Sequence, residues 1–121
     1  MLLCTTHNLC KWIYSAIFLT DTPEEGVKKV KSCVTGGGTS VEDHKKNGGR
    51  PEVCSIFEMF VYHLIEEDEQ LNVIFEECKS GRRFCGQCKE QAARLISLFL
   101  SDMAKKREQA KGRVADYLKY D

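Results

Sequence analysis

The sequence predicts an all-α fold: a helical bundle with a short extended N-terminal segment and a long last helix. Three observations predict it. Apolar residues recur at helical spacing in several separate stretches. Capping residues, prolines and glycines punctuate those stretches where helices start and stop. After Gly86, through Leu118, there is no proline and only one glycine, Gly112, so nothing forces that stretch to end early.

Residues 16–20, Ala-Ile-Phe-Leu-Thr, form a short apolar run expected to be a strand or extended segment. Asp21-Thr22-Pro23-Glu24-Glu25 opens the first helix: it has a capping side chain, a proline where a missing N–H costs nothing, and acids at the positive end of the dipole. Val27, Val30 and Val34 are its expected apolar stripe, and Thr35-Gly36-Gly37-Gly38-Thr39 its end. Ser40 and Asp43 have the spacing of a capping box for a short polar helix, about Val41 to Lys46. Pro51 opens what reads as one core helix, with Val53, Ile56, Phe57, Phe60, Val61 and Leu64 on its stripe. After Glu66-Glu67-Asp68, Leu71, Ile74, Phe75 and Cys78 repeat the pattern until Ser80-Gly81, so these two helices are expected to pair antiparallel. The last helix carries Ala92, Leu95, Ile96, Phe99, Met103, Ala110, Val114 and Tyr117, with a kink or break expected near Ser101-Asp102.

At 121 residues the chain has room for one core. Eighteen basic residues balance eighteen acidic ones, so contact with an anionic partner needs a local patch rather than net charge. The first twenty residues are interrupted by Lys11 and have neither a basic leader region nor a small-residue cleavage site, which argues against a signal peptide. They also fall short of the roughly 18 consecutive apolar residues of a spanning helix, so no membrane partner is expected.

Seven cysteines is an odd number, in a chain unlike a loop-rich disulfide scaffold. A reducing compartment, with thiolates used as metal ligands, is the expectation. Cys54, Cys78, Cys85 and Cys88 form the pattern C-x23-C-x6-C-x2-C, each at a helix end or in a short interhelical turn. Two residues between Cys85 and Cys88 let both sulfurs face one centre, and an antiparallel hairpin puts Cys54 and Cys78 at its same end. The competing readings are unrelated buried cysteines and a redox Cys-x-x-Cys, the latter lacking any thioredoxin-like setting. Ligand identity alone leaves zinc and a 4Fe-4S cluster equally open.

Other residues carry less. Cys4, Cys10 and Cys33 lack ligand spacing and read as bystanders; nothing orients His7 toward a cysteine; His63 lies beside an apolar stripe; His44 belongs to a polar helix expected to be solvated. The three glycines 36–38 lack the ending of a phosphate-binding loop. Lys79, Arg82, Arg83 and Lys89 form a small basic patch around the cysteines, either an RNA contact or a solvated face.

Four segments occur in register: Ala-Ile-Phe-Leu-Thr-Asp-Thr-Pro-Glu-Glu at 16–25, Thr-Gly-Gly at 35–37, Gly-Gly-Arg-Pro-Glu at 48–52 and Cys-Gly-Gln-Cys-Lys at 85–89. Together they resemble archaeal-type and some bacterial tryptophanyl-tRNA synthetases, from about residue 15 to the end. The resemblance implies the segment after the KMSKS loop and the helical C-terminal domain that reads the anticodon. Some members carry a 4Fe-4S cluster on a C-x22-C-x6-C-x2-C type pattern, which Cys54, Cys78, Cys85 and Cys88 resemble with the first interval one residue longer; this tips the expectation from zinc to iron–sulfur. It further implies residues 1–20 as a remnant of the junction with the catalytic domain and 21–121 as the tRNA-binding domain. The partners implied are tryptophan tRNA, through Lys79, Arg82, Arg83 and Lys89, and the catalytic domain, with no DNA.

The sequence departs from the family in having neither a HIGH-type nor a KMSKS signature; Lys11-Trp12-Ile13-Tyr14 stands where the latter belongs. ATP and Mg are therefore expected only in the complete cytoplasmic enzyme, for which a homodimer is compatible, and the chain alone is expected to be inactive. Two rival expectations stand beside this one: a free-standing helical zinc or iron–sulfur interaction or redox module, and a poorly folding gene remnant with Trp12, Ile17, Phe18 and Leu19 bare.

Overall fold

A computed structural model describes residues 16–118. Among the described residues six α-helices follow one another: α1 (Pro23–Ser32), α2 (Val41–Asn47), α3 (Ser55–Met59), α4 (Asp68–Lys79), α5 (Cys85–Lys111) and α6 (Val114–Tyr117). Among the described residues there is no strand beyond a single bridge position at Ala16, so the all-α expectation holds. The apolar run after Ala16 is not a strand: the chain turns, with Asp21 N–H donating to the Phe18 carbonyl at 3.0 Å. Ile17 is buried in the core, whereas Phe18 and Leu19 are exposed.

Helix α1 starts as its sequence dictates. Glu25 N–H donates to Thr22 Oγ1 at 3.2 Å, and the Glu25 carboxylate accepts from Thr22 N–H at 2.9 Å, closing a capping box. Asp21 is thereby free to face Lys29, with Nζ 2.6 Å from Oδ2 and both side chains about nine-tenths buried. The helix stops at Ser32, so Val34 lies beyond it and is exposed, while Val30 is fully buried.

The stretch after Pro51 is not one helix. A 3-10 turn (Pro51–Val53) leads to extended backbone at Cys54, α3 follows, and a π-helical turn (Phe60–Leu64) ends it. The predicted apolar face survives the interruption: Ile56, Met59 and Phe60 are buried. The antiparallel relation to α4 also holds, carried by side chains: Phe57 and Phe75 rings meet at 5.6 Å, and Glu52 faces Lys79 at 3.8 Å.

The most extensive helix packing is α1 along α5. Val30, Ile56, Phe60, Ile96 and Leu100 are the fully buried centre, a set of residues each worth roughly 1.5–3 kcal/mol of burial. Helix α5 runs unbroken through Ser101-Asp102 and stops at Gly112, after which α6 adds one turn. No helix among the described residues is long and apolar enough to cross a membrane.

Candidate metal centre

Three chain segments meet at the N-terminal end of α5: the glycine loop after Cys33, the stretch from Gly48 to Cys54, and the turn from Cys78 to Cys88. Backbone bonds fasten them together. Arg50 N–H donates to the Gly36 carbonyl at 2.7 Å, and Gly49 N–H to the Cys78 carbonyl at 2.9 Å. Within the turn, Arg82 and Arg83 N–H both donate to the Glu77 carbonyl, at 2.9 and 3.0 Å.

The four predicted cysteines lie in this junction. Cys54 precedes α3, Cys78 lies in the last turn of α4, and Cys85 and Cys88 lie in the first turn of α5. Cys54, Cys78 and Cys88 are buried and Cys85 half-buried, all as free thiols. They lie close enough together to act on Cys78 and Cys88. Burial pushes the Cys78 thiol up to about 11, and the neighbouring Cys88, Cys54 and Cys85 push the same way. Burial also raises Cys88, against the lowering effect of Arg83, whose Nε donates to its sulfur at 3.0 Å. Among the described residues no group of three or more His, Cys, Asp or Glu side chains is arranged to hold a metal ion directly. A single zinc with bonds of about 2.3 Å would require the sulfurs to draw in to roughly 3.8 Å of one another.

Glycines let the surrounding loops reach this depth. A Cβ on Gly37 would overlap Cys85 Sγ, and one on Gly49 would lie 2.7 Å from both Cys78 Sγ and the His44 ring. The Thr-Gly-Gly and Gly-Gly-Arg-Pro-Glu segments thus have a packing reason to lack side chains. The glycine loop cradles cysteines.

Cys33, expected to be a bystander, and His44, expected to be solvated, both belong to this junction. Cys33 is buried, its thiol raised to about 11 by burial, with Cys54 and Cys85 among the groups that affect it. His44 is not solvated but buried, with its ring 5.6 Å from that of Phe84. Its Nδ1 accepts from Gly38 N–H at 3.2 Å, and its Nε2 lies 2.8 Å from the Arg83 carbonyl. A carbonyl can only accept, so Nε2 carries the hydrogen. Helix α2 is too short for an apolar stripe to have marked His44; the glycines on both sides of it were the available signal. Its start also departs from the expected box: Ser40 Oγ accepts from Asp43 N–H, but the Asp43 carboxylate accepts from Thr39 N–H. His63 is exposed. Cys4, His7, Cys10 and Trp12 lie outside the described residues.

The basic patch divides. Arg82 is exposed, its Nε donating to Ser80 Oγ at 3.0 Å, and Lys79 is exposed over the Phe75 ring. Lys89 spends its ammonium on the Lys31 carbonyl at 2.8 Å, at the C-terminal end of α1. Arg83 turns inward, reaching Glu77 and Gln91 besides Cys88.

The family model for tRNA synthetases class I (W and Y) matches residues 6–101. The tryptophan–tRNA ligase of Methanosarcina acetivorans is 50% identical over 103 residues, which cover 85% of this chain and 24% of that protein. That of Methanocaldococcus jannaschii is 48% identical over 97 residues, covering 80% and 26%. Among solved structures, tryptophanyl-tRNA synthetase from the hyperthermophilic archaeon Aeropyrum pernix superposes with a TM-score of 0.79 at 38% identity, over 82% of this chain and 27% of that one. The Plasmodium falciparum tryptophanyl-tRNA synthetase does so with a TM-score of 0.71 at 31% identity, over 76% and 25%. The chain spans about a quarter of the length of these relatives.

Proposed function

The chain belongs to the class I tRNA synthetases of the W and Y group, and from that premise we propose that it is the anticodon-recognising, tRNA-binding part of a tryptophan–tRNA ligase, built around a four-cysteine 4Fe-4S centre. The meeting of Cys54, Cys78, Cys85 and Cys88 at one helix junction carries the reading. Identity to tryptophan–tRNA ligases over more than four-fifths of the chain supports the choice of tRNA.

The residues present suit such a group. Burial and the neighbouring thiols oppose ionisation of Cys78 and Cys88, and a bound cationic centre offsets that opposition. Cys54, Cys78, Cys85 and Cys88 are its ligands, with zinc as the alternative centre on the same sulfurs. When bound, the centre ties together three segments that backbone bonds, the His44 ring and the Lys79–Glu52 pair also join. Its role is structural: it orders the turn from Cys78 to Cys88, whose outer side offers Lys79 and Arg82 to phosphates and bases. Lys89 supports the same edge through Lys31, and Arg83 supports it from within. Tryptophanylation of tRNA, with ATP and Mg, belongs to the complete enzyme, whose remaining length supplies the adenylate site.

The test is anaerobic purification of the full chain and of Cys85→Ser, followed by iron, sulfide and zinc analysis and by titration with tryptophan tRNA and an unrelated tRNA. The reading expects about four irons per wild-type chain, their loss in the variant, and tighter binding of tryptophan tRNA. Equal binding of both tRNAs would instead support a free-standing metal module, and a metal-free wild type would remove the centre.

A further inference from the structure

The turn between α4 and α5 holds two consecutive arginines with opposite surroundings. Arg82 is exposed. The Arg83 side chain is only 17% exposed, and all three of its nitrogens have partners: Nε donates to Cys88 Sγ at 3.0 Å, Nη1 to Glu77 Oε2 at 3.5 Å, and Nη2 to Gln91 Oε1. Its backbone is used as fully, with the N–H on the Glu77 carbonyl and the carbonyl facing His44 Nε2. One residue therefore joins α4, α2 and the first two turns of α5 at a cysteine.

We infer that Arg83 is a positioning residue for the four-cysteine centre, holding Cys88 Sγ by a charge-assisted N–H···S bond rather than contacting RNA. The inference rests on the metal-centre reading above. A planar guanidinium can serve a sulfur, a carboxylate and an amide at once because its donors point in fixed, divergent directions. A lysine ammonium at that place keeps the charge but not the fork. Ligating thiolates carry negative charge into a buried pocket, and a cation hydrogen-bonded to one of them stabilises that charge. On an iron–sulfur centre, hydrogen bonds and positive charge near the sulfurs favour the reduced form. Glu77 and Gln91 keep the guanidinium in register with Cys88, leaving Arg82 as the arginine available to a polyanion.

The test uses the full chain and the variants Arg83→Gln, Arg83→Lys, Arg82→Gln and Cys88→Ser. Each is reconstituted anaerobically with ferrous iron and sulfide, and in parallel with zinc alone. Metal release to a chelator and, for the iron form, the midpoint potential are measured. Arg83→Gln is expected to release metal about tenfold faster or more, in the range typical for loss of a group supporting a ligand, and to show a lower potential. Arg83→Lys is expected to fall between it and wild type, and Arg82→Gln to match wild type in both. Arg83→Gln with wild-type release and potential, while Cys88→Ser fails to load, overturns this inference alone. A variant that melts earlier but keeps both values does the same, since a purely structural role predicts it. A wild-type chain that loads neither metal overturns the centre and this inference together. Should Arg83→Gln not regain its helical circular dichroism, Arg83→Lys decides by the same readouts.

Discussion

His44 fixes a loop, a helix and a turn with one ring, because its two nitrogens serve backbone groups 45 positions apart in sequence, Gly38 and Arg83. His44→Phe keeps the ring packing against Phe84 and leaves both backbone groups without their partner. Both bonds are part-buried and a typical net hydrogen bond is worth about 1 kcal/mol, so the variant is expected to lose about 2 kcal/mol in urea unfolding. The buried thiols set a second, pH-dependent effect. Cys33 and Cys78 are each raised from 9.0 to about 11 in the fold, so their neutral forms favour folding. Below 9.0 that contribution is complete, and it is lost as pH rises through about 11. The metal-free chain is therefore expected to lose stability across that window in denaturant titrations, and Cys33→Ala to weaken the dependence.

At the scale of the element, the sequence marks α1, α4 and α5 well: Thr22 caps the start of α1, Gly81 follows α4 and Gly112 follows α5, and each helix carries an apolar stripe. It marks the segment from Pro51 to Leu64 only in part. Periodicity reports which face is buried, and Ile56 and Phe60 are, but it does not reveal that the backbone leaves the helix at Cys54, where φ is −93° and ψ 117°. The cysteine pattern names four of the five thiols of the junction, Cys54, Cys78, Cys85 and Cys88. It misses Cys33 and His44, which arrive there through loops and tertiary packing. Asp21 is another residue whose use is decided by packing: it reads as part of the helix start and serves as the partner of Lys29. Removing one member of a buried pair strands the other, at a cost of about 3–5 kcal/mol. Asp21→Ala is expected to lose about 3 kcal/mol in thermal or urea unfolding, whereas breaking the exposed pair Lys106–Asp102 is expected to change stability by less than about 0.5 kcal/mol.

For the whole molecule, two structural centres divide the labour. The apolar one, where α1 lies along α5 beneath α3, holds the bundle; the thiol-lined one joins the ends of α1, α3, α4 and α5. Extended X-ray absorption at the metal edge of the anaerobically purified chain tests this most directly. A first shell made of sulfur alone, with an iron–iron vector behind it for the cluster, is the expected result. A shell of nitrogen and oxygen, or a folded chain carrying no metal while still binding tryptophan tRNA selectively, would contradict it.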